Sequence, residues 1–353
     1  MDPLTHALSG AVAARATAPK PNHDLPGPAA RTAAGTTAAL FPDIDVALRL
    51  VDPLFYLTYH RGITHSLIMA PVWALLLAIL FSAVSRGRYT WSTFYGVSLL
   101  GLLIHIFGDL INEYGTQIFA PLSTQAFSLS TTFVVDPYLT GLLLAGLALS
   151  YVWRLNVGAA LGLLACTVLI ALQATQFQHA RALGADLAQQ LASRAGAPAA
   201  AVHVLPQPFS PFNWMVVLEE RDRYRLTRVN LARRDALESG DDYWIGRRMV
   251  AAYRPAHDLR WQTFQRYDPR DPGRAREVWH HPELADFRRF AGLPAHYGTT
   301  YGPVCVWFQD LRFRAPEIRP PFIYGACGGP EAWRLHRLDA VTGKPRPSGR
   351  PRG

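Results

Sequence analysis

Charge is scarce in the first half of this 353-residue chain. Residues 1–176 hold eight Lys or Arg and eight Asp or Glu, so this half is neutral and the whole excess of +9 falls on residues 177–353. Such a low charge density, with long apolar runs, is typical of a membrane region and argues against an ordinary water-soluble domain. The second half is polar, basic and rich in Pro, Gly and Trp, which predicts a soluble domain.

Other absences narrow the function. The N-terminus lacks the basic start and apolar core of a cleavable signal peptide, so the first true span is expected to direct insertion. The sequence has no internal repeat and no recognition-helix or RNA-binding motif, and the charges of its second half alternate in sign. We therefore expect a solvated face there, and no nucleic-acid partner.

Cysteine is also rare, with three residues in the whole chain. Cys166 lies within an apolar run and is expected to be a small buried side chain. Cys305 and Cys327 flank strand-like segments of the second half. They either form a disulfide in an oxidising periplasm or are two unrelated core residues, and the sequence favours neither alternative.

The apolar runs predict an all-α polytopic membrane helical bundle over residues 1–176. About 20 residues are needed to cross a bilayer as a helix, and three runs are that long, at residues 66–84, 92–111 and 155–173. A shorter run at residues 138–153 is bounded by Tyr and Trp, which favour the membrane interface. Two weaker segments, residues 4–16 and 32–50, are predicted to be short or re-entrant helices packed against the bundle.

Arginines in the short loops predict the orientation of the bundle. The positive-inside rule places those loops in the cytoplasm. The prediction is a multi-pass inner-membrane protein of a bacterial cell, with the histidine-rich motifs and the C-terminal domain on the periplasmic side.

The second half is predicted to be a small soluble α+β domain with an antiparallel sheet, over residues 177–340. An amphipathic helix over residues 173–194 is expected to continue from the last span, and a short helix is expected near residues 283–291. Period-two alternation predicts strands in six segments: WMVVLEE, YRLTRVNL, YWIGRRMVAAY, LRWQTFQRY, VCVWFQDLRFR and WRLHRLDA. The tail, residues 341–353, is so rich in Pro, Gly and Arg that we expect it to be disordered.

The ionisable residues of the first half are concentrated in short motifs at the ends of the apolar runs. Charged or titratable groups within spans are costly and usually functional. His105 and Asp109 lie four residues apart on a predicted helix, so their side chains share one face and can converge on one ion. The alternative is a His–Asp hydrogen bond that only holds two helices together.

Asp43 and Asp45 follow Pro42, which disfavours a helical approach, so both carboxylates should point the same way from an extended backbone. Two carboxylates that close repel each other unless a cation lies between them. The alternative is that they cap the helix that follows, since Asp is a good N-cap residue.

His60 and His65 lie on either side of Gly62, which permits a tight turn. Thr64 is a plausible N-cap for a span that begins at His65 or Ser66. The positive end of that helix would keep His65 neutral and able to bind a metal. Arg61 would then direct a fixed positive charge toward a bound anion. Taken singly, each histidine could instead be an interfacial polar anchor.

The number of these groups favours a metal site. Four of the five histidines in the first half fall inside the motifs, together with Asp43, Asp45, Asp109 and Asp136. Mixed imidazole and carboxylate ligands suit zinc best, with manganese or iron as alternatives. More than four candidate ligands indicate two ions, or one ion with a generous outer shell. A hydroxide generated there would attack a phosphorus or carbonyl centre.

Five motifs resemble those of the YdjM-like family: MDPLTHALSGA, FPDID, HRGITHS, HIFGDLINEYGTQIFAP and VVDP. The resemblance covers about residues 1–140. The family is described as membrane-bound metal-dependent hydrolases, distantly similar to the zinc-dependent phospholipase C and P1-type nuclease group. Those enzymes place histidines and aspartates, including an HxxxD pair, around a zinc cluster. They also use a free N-terminal residue as a ligand, which has no assigned counterpart in this sequence.

The resemblance implies one to three zinc ions, and a metal role for these residues: His6, Asp43, Asp45, His60, His65, His105, Asp109 and, less directly, Asp136. Arg61 and Glu113 are the candidate catalytic residues. The expected partners are the lipid bilayer and a small-molecule or lipid phosphoester, such as a lipid headgroup or an envelope intermediate. Amide or ester hydrolysis is an alternative to phosphoester cleavage.

Two rival functions are compatible with the sequence. In the first, the His/Asp cluster is structural and the soluble domain binds a protein or an anionic polymer. In the second, the cluster belongs to a metal or proton transporter, since intramembrane His and Asp also form such paths. A transport path needs a continuing polar track, and residues 67–84 contain almost no polar residue beyond Ser82.

Overall fold

The computed structural model describes residues 1–20, 23–50, 53–153, 155–302, 304–329, 332–339 and 343–348. The chain folds into two compact units. The first comprises Met1–Val46 and His60–Thr175, and the second comprises Ala47–Tyr59 and Gln176–Gly353. The boundary between Thr175 and Gln176 lies one residue before the predicted one. The short segment Ala47–Tyr59, which precedes the HRGITHS motif, is grouped with the C-terminal half.

The N-terminal half is helical throughout its regular elements. Its α-helices are α1 (Pro3–Ala16), α2 (Pro28–Leu40), α3 (Pro53–Tyr59), α4 (Ala70–Val84), α5 (Trp91–Leu110), α6 (Pro137–Val152) and α7 (Leu155–Ala195). Two 3₁₀ helices, Phe41–Leu50 and Ile63–His65, carry the FPDID motif and the end of the HRGITHS motif. The weak segment predicted at residues 32–50 is therefore divided at Leu40 into the end of α2 and a 3₁₀ helix.

Two helices in the described part of the chain are long and apolar enough to cross a membrane, namely Trp91–Leu110 and Asn156–Ala195. A third crossing would require that Pro53–His65 and Ala70–Val84, which are bent by 78° relative to each other, act as one broken span. The Pro137–Val152 helix is apolar but shorter. The predicted run at 66–84 becomes helical only at Ala70, because Ser66–Met69 form a turn that precedes α4.

Glycines allow α1, α2 and α5 to pack unusually closely. A Cβ atom added to Gly10 would lie 2.4 Å from the carbonyl oxygen of Gly35, and one added to Gly101 would lie 2.8 Å from the same oxygen. Only a residue without a side chain fits at such backbone distances. The close approach of α2 to α5 brings the 3₁₀ helix that follows α2 next to His105 of α5.

The C-terminal unit contains two antiparallel sheets rather than the single sheet expected. The first has the order β1–β2–β3–β4, with strands Ala201–Pro206, Asn213–Glu219, Arg223–Asn230 and Gln262–Gln265. The second has the order β5–β6–β7–β8–β9, with strands Pro294–Thr300, Cys305–Asp310, Ile323–Cys327, Arg334–Leu338 and Pro345–Pro347. Three α-helices lie between β3 and β5: α8 (Ile245–Ala251), α9 (Pro272–His280) and α10 (Ala285–Phe290).

The two sheets share one core, in which Met215 and Val217 of the first sheet pack with Ala295 of the second, and each sheet is also covered by helices. The C-terminal part of α7 covers the first sheet, where Ala180 and Ala188 pack with Trp214, Val216 and Leu218. This helix confirms the predicted continuation from the last apolar run. On the second sheet, α9 and α10 contribute Trp279 and Phe287, whose rings contact Phe308 and Tyr324.

Two further secondary-structure predictions in the C-terminal half differ from the structure. The segment YWIGRRMVAAY was predicted to be a strand, but it contains α8. Met249, Ala251 and Tyr253 are buried at a spacing of two, which imitates a strand, and a helix of seven residues is too short to show its own period. The tail was predicted to be disordered from residue 341. Pro345–Pro347 instead pair with His336, Arg337 and Leu338 as β9, and residues 341–342 and 349–353 lie outside the described residues.

The register of the second sheet decides whether Cys305 and Cys327 are paired. Cys305 of β6 lies directly opposite Cys327 of β7, and the two form a disulfide. The pairing alternative is therefore confirmed. Cys166 is a buried free thiol, as expected.

Candidate metal centre

Helix α5 carries the first two ligands of the candidate centre. His105 and Asp109 are fully buried on one face of the helix, with 3.4 Å between His105 Nε2 and Asp109 Oδ2. The Nδ1 atom of His105 lies 2.6 Å from the carbonyl oxygen of Ala39, which can only accept a hydrogen bond. The proton is therefore on Nδ1, and Nε2 presents a lone pair toward Asp109.

The 3₁₀ helix after α2 supplies Asp43. Its Oδ1 lies 3.8 Å from His105 Nε2 and 3.6 Å from His65 Nε2. Burial alone would raise the pKa of Asp43, but His65, His105 and His6 outweigh that effect and hold the pKa below its usual range. The Asp43 side chain is 21% exposed, whereas His65, His105 and Asp109 have almost no exposed surface. Asp43 is thus the accessible side of the group.

Asp45 does not accompany Asp43, which corrects one expectation. The two carboxylates were predicted to point the same way from an extended backbone. The backbone is a 3₁₀ helix instead, in which residues two apart point in different directions. Asp43 therefore faces His105, and Asp45 faces His60.

The HRGITHS motif contributes His65 through a short turn. Arg61 adopts a positive φ of 63°, and a single 3₁₀ turn at Ile63–His65 follows Gly62. His65 is completely buried, and its Nε2 lies 3.2 Å from Asp109 Oδ2. The prediction that Thr64 caps a span starting at His65 or Ser66 is wrong, because α4 begins only at Ala70.

Four ligand atoms converge at the distances expected around one ion. They are Asp43 Oδ1, His65 Nε2, His105 Nε2 and Asp109 Oδ2, and the four His-to-Asp separations are 3.6, 3.8, 3.2 and 3.4 Å. A tetrahedral site with bonds near 2.1 Å has ligand–ligand edges of about 3.4 Å. The spacing therefore fits a small divalent cation.

Hydrogen bonding supports the same fit. His65 Nε2, His105 Nε2 and Asp109 Oδ2 are buried, and none of the three has a hydrogen-bond partner in the described structure. A buried polar atom without a partner costs free energy, so native proteins rarely leave one, let alone three at one point. A cation bound between these atoms removes that cost.

A second group shares His65 with the first. Asp45, His60 and the Nδ1 side of His65 also lie close enough to hold an ion. Asp45, however, already accepts hydrogen bonds: His60 Nδ1 is 2.8 Å from its Oδ1, and the Arg61 backbone N–H donates to its Oδ2 at 3.1 Å. His65 Nδ1 lies 3.0 Å from Thr64 Oγ1, which is 3.4 Å from Asp45 Oδ2, whereas Asp45 Oδ2 is itself 3.7 Å from His65 Nδ1. Thr64 therefore orients the His65 ring, with Asp45 behind it.

The two carboxylate oxygens of Asp109 have different surroundings. Oδ2 faces the two histidines of the first group, whereas Oδ1 contacts positively charged and hydrogen-bond-donating groups of the protein. The Arg61 guanidinium lies 2.9 Å from Oδ1, His6 Nε2 lies 3.2 Å from it, and the Met1 amino group also contacts it. Asp109 is therefore held firmly through one oxygen and presents the other.

Comparison with known proteins identifies the family of this arrangement. The family model for the YdjM inner membrane protein matches residues 1–180. The chain belongs to the YdjM inner membrane protein family. The match covers about half of the chain and includes both ligand groups, so the predicted family resemblance is confirmed.

One curated relative is similar over part of this region. The uncharacterized protein YfhP of Bacillus subtilis (strain 168) is 33% identical over 121 residues, which are 34% of this chain and 36% of that protein. The chain thus spans about a third of the length of the curated relative it matches. No solved structure matches the chain. The distant similarity to the phospholipase C and P1-type nuclease group remains a prediction.

Most of the site residues predicted within the YdjM region are brought together. His6 stacks on His105 with 3.7 Å between ring centroids, so it supports the cluster from the side without belonging to either ligand group. Arg61 is buried between Asp109 and Asn112, whose Oδ1 accepts from its Nη1 at 2.7 Å. Arg61 was expected to face a bound anion, but its guanidinium instead fixes Asp109.

Two more predicted residues, besides His6 and Arg61, lie outside both groups. Asp136 caps α6: its Oδ1 accepts from the backbone N–H groups of Tyr138 and Leu139, and its Oδ2 accepts from Gln173 Nε2. Because both oxygens have partners, the metal role expected for Asp136 is corrected to a helix cap. Glu113 follows the C-terminal end of α5, is half-buried, and is in neither group.

The structure also adds groups that the sequence did not reveal. The Ala39 carbonyl fixes the tautomer of His105, and the Met1 amino group contacts Asp109. Both are main-chain groups, so no side-chain pattern could have marked them. Asn112 lies two residues beyond the end of α5, and its Nδ2 donates to Asp109 Oδ1 at 3.4 Å.

Proposed function

We propose that this protein is a membrane-bound metal-dependent hydrolase whose ion is held by Asp43, His65, His105 and Asp109. The observation that carries the proposal is the convergence of three buried, unpartnered ligand atoms beside one partly exposed carboxylate. Buried ligands hold an ion firmly, while an accessible side admits water and substrate. A purely structural cluster has no need of the accessible side.

Zinc suits this donor set best, with manganese or iron as alternatives. Two imidazoles and two carboxylates together are intermediate between hard and soft ligands, and zinc prefers such a set. When bound, such an ion acts as a Lewis acid on a phosphoryl or carbonyl oxygen and increases the acidity of a nearby water. The protein groups divide the remaining tasks. His65, His105 and Asp109 would hold the ion from the buried side, and Asp43 would be the fourth, exchangeable ligand on the open side, where it would give way to water and accept its proton.

The outer groups keep these ligands in place. Thr64, which is backed by Asp45, orients the His65 ring, and Arg61 with Asn112 fixes Asp109. Outer partners of this kind raise ligand basicity and restrict ligand rotation. In this proposal Arg61 is a positioning residue, and so its effect on substrate is indirect.

A lipid phosphoester is the proposed substrate. Ile44, between Asp43 and Asp45, is exposed, and so is Ile63, between His60 and His65. Exposed aliphatic side chains interleaved with metal ligands suit a substrate that has an apolar portion next to its reacting group. The choice of a phosphoester over a carboxylic ester rests on the ability of divalent cations to neutralise charge on a transferring phosphoryl group.

The second candidate function is a structural ion site. It is favoured by one observation, which is that the four protein ligands can complete a tetrahedron without water. Asp43→Asn separates the two candidates. For a hydrolase, the three buried ligands should keep the ion while turnover falls by orders of magnitude. For a closed structural site, loss of the fourth charge should release the ion.

The experiment combines metal analysis of the purified protein with assays on phosphomonoesters, phosphodiesters and phospholipids. Asp286→Asn, which alters an exposed acid of the C-terminal unit, is the matched control. Metal-dependent cleavage that is lost in Asp43→Asn and kept in Asp286→Asn supports the proposal. Firmly bound metal with no cleavage of any substrate in the set would leave the structural site as the better explanation.

We also infer that the metal centre and the C-terminal unit face the periplasm. The arginines of the short loops support this orientation, and so does the Cys305–Cys327 pair, since disulfides persist in oxidising compartments. A reporter active only in the periplasm, fused after Gly353, should be active. Activity of a cytoplasm-only reporter at that position, or a free thiol at Cys305 by mass spectrometry of non-reduced protein, would contradict the orientation.

A further inference from the structure

An arginine of β3 lies on the strand face that forms the core shared by the two sheets. Arg228 is two residues after Leu226, a member of that core, so the two side chains point to the same face. Arg228 is only 8% exposed. Arg312, which is also largely buried, has an acidic partner, since its guanidinium lies 2.7 Å from Asp310. Arg228 has none among the residues that the structure describes.

The hydrogen bonds of Arg228 go to neutral acceptors. Its Nη1 donates to Gln262 Oε1, and its Nη2 donates to the main-chain oxygen of Arg314, both at 3.2 Å. Its Nε is buried and has no partner in the described part of the chain. A buried guanidinium with an unpaired N–H group and no counter-ion is costly, so a native protein rarely keeps one without a use.

Arg314 is a second cation beside the first. It follows the 3₁₀ turn Leu311–Phe313 and is half-buried. Its Nη1 donates to Gln309 Oε1 at 3.1 Å, and its guanidinium carbon lies 4.7 Å from the centre of the Phe264 ring. These contacts hold the guanidinium in place but supply no negative charge. Within the described ranges, Arg314 has no Asp or Glu partner either.

The two guanidinium groups are close enough to repel each other. Burial is the main cause that lowers the pKa of Arg228 to about 10, and the charge of Arg314 lowers it too, whereas Tyr253 opposes the change. Burial also lowers the pKa of Arg314. Both arginines are still protonated near neutral pH, so the fold holds two like charges together, and no described acidic residue neutralises them.

This arginine pair is accessible from solvent. Gln262, which accepts from Arg228, is exposed and belongs to β4, the last strand of the first sheet. Arg314 is exposed in part. A dissolved anion can therefore approach beside Gln262 and Arg314, with Arg228 at the buried end of the pair.

We propose that Arg228 and Arg314 form a binding site for a phosphate dianion, either free or as a phosphomonoester. Two guanidinium groups match its two negative charges, and their planar N–H donors suit its several oxygens. A single carboxylate would neutralise only one of the two arginines. Every residue of the site belongs to the C-terminal unit, so the proposal is independent of the metal centre and of the proposed hydrolase activity.

Calorimetric titration of the full chain in detergent tests the site. The probes are inorganic phosphate and glycerol 3-phosphate at about pH 8, well above the second pKa of a phosphate ester near 6. Arg314→Gln should weaken the binding of both probes by about tenfold or more, because it removes a charged donor. Arg225→Gln is the matched control, since Arg225 is a half-buried arginine of β3 that lies 2.7 Å from Glu220. Equal affinity in these two variants, or no binding of either probe to the wild type, would overturn the proposal.

Arg228→Met separates an anion site from a structural arginine. Without phosphate, removal of an unneutralised buried charge should leave the midpoint of thermal unfolding unchanged or higher. The increase in midpoint that phosphate causes in the wild type should be lost. A lower midpoint with an undiminished phosphate effect would show that Arg228 is structural and would overturn the proposal. If Arg228→Met does not fold, the titration of Arg314→Gln decides.

Two further comparisons locate the binding and identify the anion. Asp109→Asn, which is expected to lose the metal, should bind phosphate as tightly as the wild type. Loss of binding in Asp109→Asn but not in Arg314→Gln would place the phosphate at the metal centre and overturn the proposal. Acetate that binds as tightly as phosphate would also overturn it. Stabilisation by glycerol 3-phosphate supports a soluble ligand, and stabilisation by phosphatidic acid in nanodiscs, lost in Arg314→Gln, supports a lipid headgroup.

Discussion

The two units each contain a buried His–carboxylate cluster, but the clusters differ in whether their polar atoms have partners. In the C-terminal unit, His296 Nε2 lies 3.0 Å from Thr299 Oγ1, and Thr299 donates to Asp268. The remaining Asp268 oxygen accepts from the Arg270 backbone N–H at 2.9 Å. These groups satisfy one another, so the cluster needs no ion.

The N-terminal cluster has similar side chains, but three of its polar atoms have no hydrogen-bond partner. His65 Nε2, His105 Nε2 and Asp109 Oδ2 face one another without hydrogen-bond partners, although the other polar atom of each residue is held, by Thr64 Oγ1, the Ala39 carbonyl and Arg61 respectively. The comparison teaches that residue types alone do not distinguish a metal site from a polar core. The two are distinguished by the direction of the acceptor lone pairs and by whether a hydrogen-bond donor faces each of them.

The largest effect is expected from Asp109→Asn. The amide keeps the size of the side chain but removes the negative charge that faces His65 and His105, and it leaves the buried Arg61 without its counter-ion. Bound metal should be lost from the purified protein, and any metal-dependent hydrolysis should fall by orders of magnitude. Metal analysis after gel filtration measures the loss.

Asp268→Asn is the counterpart in the C-terminal unit. It should leave the metal content at the wild-type value, since its cluster is satisfied internally. If Asp109→Asn kept as much metal as Asp268→Asn, the contrast between the two clusters would have no functional meaning and the metal centre would be wrong.

A smaller effect is expected from Arg61→Lys. Lysine keeps the charge but cannot contact both Asp109 and Asn112 through a planar fork, so Asp109 should be held less firmly. Loss of an outer partner typically lowers metal affinity by about 10–100-fold. Competition with a chelator of known affinity measures the change.

Arg15→Lys is the matched control for that experiment. Arg15 is also buried in the first unit, but its Nε donates to Ser150 Oγ, on α6. Equal metal affinity in the two variants would show that Arg61 is a structural arginine like Arg15.

The local part of the metal centre was predictable from sequence. His105 and Asp109 lie four apart on a strongly apolar helix, and helix geometry alone places them on one face. Asp43 and Asp45 were located correctly but oriented wrongly, because the local backbone is a 3₁₀ helix instead of an extended segment. The choice between these conformations depends on how α2 packs on α5, which is a tertiary contact.

Asp136 shows why a motif can mislead. The pair Asp136–Pro137 resembles a ligand motif, yet an Asp followed by Pro is also the usual start of a helix, with Asp as the cap and Pro in the first turn. Asp2–Pro3 is used in the same way at the start of α1. The sequence does not distinguish these uses, because the difference lies in Gln173, which reaches Asp136 from α7.

Asp136→Ala tests that assignment and should have a moderate effect. Loss of an N-cap costs about 1 kcal/mol of the free energy of unfolding, and metal content should not change. Asp136→Asn should be much milder, since Asn also caps helices. Thermal unfolding in detergent, read beside metal analysis, distinguishes the cap from a ligand. Loss of metal in both variants would restore Asp136 to the metal centre.

The smallest effect concerns pH and the satisfied cluster of the C-terminal unit. Burial lowers the pKa of His296 below its ordinary value, even though Asp268 opposes that change. The folded state therefore prefers neutral His296, and its contribution to stability is complete above the pKa of the unfolded chain. As the pH falls below that value, the unfolded state binds a proton more readily, so the contribution is progressively lost.

Between pH 7 and pH 5 the wild-type midpoint of thermal unfolding should decrease more than that of His296→Gln, which has no proton to bind. Comparing the decrease in the two proteins removes the effect of the other titrating groups, including the histidines of the metal centre. An identical decrease in both would show that His296 is not desolvated by the fold, and the C-terminal cluster would then be a surface feature rather than the buried counterpart of the metal centre.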